Sequence, residues 1–102
     1  MKELRICGLE NGVLTVKLFG DIDAGNAEEF FAEMMSAYEA QPCSITFDCE
    51  ELAFIDSTTL GTFVKITKRL KADGNTVRLV NTQAKIKKLF VICALDRLME
   101  IA

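Results

Sequence analysis

The sequence predicts an α/β sandwich: one domain over residues 1–102, a mixed sheet of about four to five strands, and helices mainly on one face. Three observations carry that expectation. Segments with apolar side chains at every second position alternate with segments whose apolar side chains recur at i, i+3, i+4 and i+7. The chain opens on two alternating segments separated by Glu10-Asn11-Gly12, a turn signal that makes the first pair an antiparallel hairpin. No linker, internal repeat or low-complexity stretch divides the chain.

The elements follow in order. Leu4 and Ile6 alternate with polar residues and end at Gly8, an early strand, and Val13 to Phe19 returns as the second. Gly20 is expected to break that strand and leave GDIDAGN (residues 20–26) as a loop. Asn26 with Glu29 three residues later has the form of a capping box. Ala27, Phe30, Phe31, Met34, Met35 and Tyr38 then describe one buried helical face. Pro42 closes the linker, Ile45, Phe47 and Cys49 alternate as a strand, and an apolar run climbs to Phe54 and Ile55. Leu60, Phe63, Val64, Thr67 and Leu70 mark a second amphipathic helix that stops before Asp73-Gly74-Asn75. Val77, Leu79 and Val80 form a further strand, and Ala84 to Cys93 a third helix with Ile86, Leu89, Phe90 and Cys93 inward. Leu98 to Ile101 forms either a short closing strand or a packed tail.

Composition narrows the function. Half of the 102 residues are hydrophobic and 26% are charged, the balance of a globular domain. With 12 Lys+Arg against 15 Asp+Glu and a net charge of −3, no basic stripe is available to neutralise nucleic-acid phosphates. Lys85, Lys87 and Lys88 are the one basic cluster, expected as the solvated face of a helix. No apolar run approaches the ~20 residues of a membrane span, and the charged start MKELR is not a signal peptide, so no membrane partner and a cytoplasmic location are expected. The chain has no histidine. That removes Ser-His and Cys-His nucleophile pairs and nearly all ordinary zinc sites, so no catalytic residue, metal or cofactor is expected. Cys7, Cys43, Cys49 and Cys93 have no CxxC spacing and are expected as buried, reduced thiols.

The most informative stretch is TFDCEELAFIDSTTLGTF, residues 46–63. Its apolar run stops at Asp56, three hydroxyl residues follow, and helical periodicity begins at once with Leu60, Phe63 and Val64. Ser57 therefore falls at a helix N-terminus, where backbone N–H groups lack partners and the dipole favours an anion. Two readings stand: Asp56 and Ser57 are helix caps, or Ser57 is a hydroxyl placed to become a phosphate.

Three segments together carry a family resemblance. GDID (Gly20 to Asp23), FIDSTTLGTF (Phe54 to Phe63) and LDRLMEI (Leu95 to Ile101) resemble, in order and spacing, the STAS domain, specifically the free-standing bacterial anti-sigma factor antagonists. In such proteins a serine after the signature aspartate is phosphorylated by a partner that is both kinase and anti-sigma factor, and the unphosphorylated form binds that partner. The resemblance implies that Ser57 is the phosphoacceptor, Asp56 the acid before it, and Asp23 a loop acid nearby. It implies a serine phosphatase as a second partner, and a monomer is expected. The signature departs from the family at Thr59, which stands where the family has a glycine, and its β-branched side chain is expected to narrow kinase access or alter the partner surface.

The loop residues Asp21, Asp23, Ala24 and Asn26 and the helix start Asp56, Ser57, Thr58, Thr59, Leu60 and Gly61 are expected side by side, because both segments follow strands that run the same way. Taken alone, Asp23 is as readily a loop carboxylate bonded to its own backbone, and Gly61 a small residue allowing close helix packing. The alternatives from other classes are a non-phosphorylated STAS scaffold or accessory subunit, in a stress-sensing assembly or a lipid-transport ATPase, and a nucleotide-binding module. The chain has neither GxxxxGK[ST] nor GxGxxG.

Overall fold

The structure is a computed structural model and describes residues 1–102. Strand β1 (Leu4–Glu10) pairs antiparallel with β2 (Val13–Ile22) through the Asn11-Gly12 turn, where both residues take positive φ. Helix α1 (Ala27–Ala40) then leads to β3 (Ser44–Ile55), α2 (Ser57–Ala72) to β4 (Val77–Val80), and α3 (Ala84–Ile92) through a single 3₁₀ turn at Leu95–Arg97 to β5 (Glu100–Ile101). The sheet order is β1-β2-β3-β4-β5, and every pair after the first is parallel. Three parallel crossovers that step the same way along the sheet put their helices on one face, given the right-handedness of such units.

That face is closed by four phenylalanines. Phe63 of α2 lies edge-on to Phe30 of α1, Phe47 of β3 and Phe90 of α3, with ring centroids 5.3 Å away in each case. All four rings are fully buried, and one hydrophobic cluster spans every helix. At the far end, Tyr38 of α1 donates to Asp73 Oδ2 (2.8 Å) and accepts from Asn75 Nδ2 (2.8 Å), tying α1 to the turn after α2.

Several boundaries differ from the sequence expectation. β1 runs on to Glu10 because a bulge between Ile6 and Gly8, with Gly8 at φ +127°, absorbs the glycine. Gly20 likewise does not end β2: it takes φ +60° beside an irregularity between Gly20 and Asp21, and pairing with the 12-residue β3 carries the strand to Ile22. The loop is thus residues 23–26. The C-terminal segment pairs with β4 as a two-residue strand. In α3 only Ile86 and Phe90, one turn apart, are buried, while Leu89 is 38% exposed and Cys93 is an exposed C-cap, because the face turned to the core is narrower than the apolar stripe. Cys43 and Cys49 are buried free thiols as expected, but Cys7, in the β1 bulge, is exposed. No helix is long and apolar enough to cross a membrane.

Candidate functional site

The site is set by register. Ile22 pairs with Ile55 at the ends of parallel β2 and β3, so the 23–26 loop and the start of α2 leave the sheet side by side. Such strand ends are where α/β sheets gather their binding residues.

Asp56 joins the two segments. It is the N-cap of α2 in extended conformation (φ −120°, ψ −175°), and its Oδ1 accepts from the Thr59 backbone N–H at 3.0 Å. Its Oδ2 accepts from the Ala24 N–H at 2.9 Å, across 32 residues of sequence. Hydrogen bonds from the Thr59 backbone first, then from Ala24, the Thr59 hydroxyl and the Thr58 backbone, favour the ionised carboxylate and hold its pKa below the ordinary value against a smaller desolvation effect. Asp56 is a fixed anion at neutral pH.

Ser57 follows as the first residue of α2 and is exposed, as are Thr58, Gly61, Asp21 and Ala24. Asp23 and Asn26 are half-buried and organise the loop. Asp23 Oδ1 accepts from the Gly25 N–H at 2.9 Å, the bond to its own backbone that its residue type suggested. Asn26 sits at the N-cap position of α1 but makes no side-chain cap. Instead its Oδ1 accepts from the Asp23 N–H (2.9 Å) and its Nδ2 donates to the Asp21 carbonyl (3.0 Å). The capping box fails on its other side too, because the Glu29 carboxylate meets the N-terminal amine of Met1 at 3.3 Å.

Thr59 and Leu60 face inward. The Thr59 side chain is fully buried, with its hydroxyl against the Ile22 carbonyl oxygen and 3.1 Å from Asp56 Oδ1. It therefore neither narrows access to Ser57 nor presents a side chain at the surface, contrary to the expectation for a β-branched residue at this position. At Gly61 nothing lies within 4 Å of where a Cβ would stand, so close packing does not explain the glycine. Its bareness instead opens the floor of a groove of about 460 Å³ between α1 and α2, lined by Glu28, Phe31, Ser57, Thr58, Gly61 and Lys65 among others. Lys65 lies over the Phe31 ring, 5.9 Å from its centroid. Glu28, Phe31 and Lys65 were missed from sequence, although helical spacing offered a signal: residues 57, 61 and 65 share one face of α2.

Known proteins bear on this arrangement. The chain is 27% identical over 89 residues to the anti-sigma-B factor antagonist of Bacillus subtilis (strain 168), covering 87% of this chain and 81% of that one. An anti-sigma factor antagonist from Mycobacterium paratuberculosis superposes with a TM-score of 0.78 at 18% identity, covering 96% of this chain and 84% of that one. The Bacillus cell-fate determinant SpoIIAA in its phosphorylated form gives 0.75 at 23%, covering 97% and 90%. At such identities the structural likeness establishes the fold alone. The pattern of the STAS domain matches residues 9–102, and the chain belongs to that family.

Proposed function

We propose that this chain is a cytoplasmic, monomeric anti-sigma factor antagonist, a non-catalytic binding protein switched by phosphorylation of Ser57. Unphosphorylated, it sequesters an anti-sigma factor with serine kinase activity and frees a sigma factor. Phosphorylated, it lets that kinase go, and a serine phosphatase resets it. The observation that carries the reading is an exposed Ser57 at the first position of α2, between a fixed Asp56 carboxylate and the 23–26 loop. The naming of the Bacillus subtilis relative and the existence of SpoIIAA in a phosphorylated form support it.

Charge supplies the mechanism. A phosphate adds about −1.5 to −2 units at pH 7. The helix N-terminus offsets this by about 0.3–1 kcal/mol, but Asp56 already occupies the Thr59 N–H that such an anion would use. The fold survives while the surface gains a dianion beside an existing anion. A partner face fitted to a neutral hydroxyl then loses about 2–5 kcal/mol, which is some thirty-fold in affinity or more.

The test is phosphate mapping by intact and peptide mass spectrometry on protein from its native host, followed by titration of the kinase so identified with both forms. Phosphate on Ser57 and at least a thirty-fold weaker complex are expected. Equal affinities refute the switch, and an unmodified Ser57 in protein that co-purifies with an ATPase or a large assembly supports the scaffold reading instead. Asp23→Ala is expected to weaken the complex or slow phosphorylation more than it lowers thermal stability, because its carboxylate holds only the loop.

A further inference from the structure

Two hydrogen-bonded bridges join the start of α2 to the loop and the strand before it. One is Ala24 N–H to Asp56 Oδ2, and the other is the Thr59 hydroxyl, whose single proton is shared between the Ile22 carbonyl at the end of β2 and Asp56 Oδ1. Both meet in the first turn of α2, where the Thr59 backbone N–H holds the remaining Asp56 oxygen. Helix start, capping carboxylate, loop and strand end thus form one closed ring of contacts, with a fully buried hydroxyl at its inner side. A glycine, the residue that the resembled family has here, provides the N–H but neither the hydroxyl nor the buried side chain.

We infer that Thr59 is a positioning residue, which acts through Asp56 and Ile22 to hold the 21–26 and 56–61 surface in one preformed arrangement. A surface ordered before its partner arrives loses less conformational entropy on binding. It also cannot swing Asp56 away from a new phosphate on Ser57, so the switch acts by charge on a rigid frame. That consequence rests on the proposed function; the tether itself does not.

The test uses the full chain with Thr59→Val, which keeps the shape and removes the hydroxyl, and Thr59→Ser, which restores it. Amide exchange at Ala24, relative to the core amide of Phe47, is expected to become about threefold to tenfold faster in the valine variant. Asp56, followed by its carboxyl carbon shift against pH, is expected to titrate at higher pH there, and the serine variant is expected to return both readings to the parent values. Equal acceleration at Ala24 and Phe47 with an unmoved Asp56 titration would mean general loosening and overturn the proposal. Failure of Thr59→Ser to restore either reading would mean that the hydroxyl by itself does not hold the surface, and would overturn it too. If Thr59→Val does not fold, Thr59→Ala serves with the same readouts. None of these needs a partner or a phosphate, so the tether and the Ser57 switch fail separately.

Discussion

Phe63 is where the position of α2 is decided, and its truncation is the most quantitative prediction. The ring has no exposure and makes three edge-on contacts at 5.3 Å, to one residue each from α1, β3 and α3. Each such pair contributes about 0.5–1.5 kcal/mol beyond the area it buries. Phe63→Leu keeps most of the apolar volume and removes all three; with each pair in the lower part of that range, at about 0.5–1 kcal/mol, a loss of about 1.5–3 kcal/mol is expected. Phe63→Ala adds a cavity and raises the loss to about 3–5 kcal/mol, against a total stability of about 5–15 kcal/mol for a domain of this kind. Urea unfolding followed by circular dichroism is the assay. At an m-value of about 1–3 kcal/mol/M, the leucine variant shifts the midpoint down by about 1 M with m unchanged, and its melting temperature falls by about 10 °C. Since α2 is held at Phe63, amide exchange at Thr59 and Leu60, whose N–H groups are bonded to Asp56, is expected to rise with the global loss. A midpoint shift under about 0.3 M at constant m would refute the claim that this ring anchors the helix.

The remaining predictions concern acid and thiols. Asp56 has a folded-state pKa below its unfolded one, so its contribution is present above the unfolded value and is lost as pH falls through the folded one. Acid titration of stability is therefore expected to be flat in its Asp56 contribution down to the ordinary carboxylate range and to fall below it. Asp56→Asn flattens that limb and speeds Ala24 amide exchange at neutral pH, because an amide nitrogen cannot accept from Ala24; an acid limb identical to the parent's sinks the assignment. Burial pushes the Cys49 thiol up to about 12, whereas Cys7 and Cys93 are exposed. A thiol reagent at pH 8 is expected to modify two cysteines quickly in the folded protein and all four in urea, and rapid labelling of Cys49 without denaturant contradicts its burial.

The hairpin and the three helices were legible in the chain, because each rests on a local signal, and the nearness of the 23–26 loop to residues 56–61 followed from two strands that run the same way. Turn chemistry at Asn11-Gly12, a 3.6-residue period in α1 and α2, and an apolar run stopped by Asp56 need no knowledge of distant residues. Errors fell where a local preference was overridden by a partner. Gly20 reads as a strand breaker, yet pairing with β3 carries β2 past it, and Asn26 reads as a cap but spends its amide on the loop. Leu89 and Cys93 belong to an apolar stripe that continues beyond the core it was meant to cover. Local patterns along the chain dictate which element types form, in what order, and that a serine opens α2. That Thr59 turns inward, that Asp56 reaches Ala24, and that Lys65 and Phe31 border the Ser57 groove came to light with the folded chain alone. Those contacts close between segments far apart in the chain, and hydrogen-bond geometry at that range is fixed by sheet register, which no local pattern encodes.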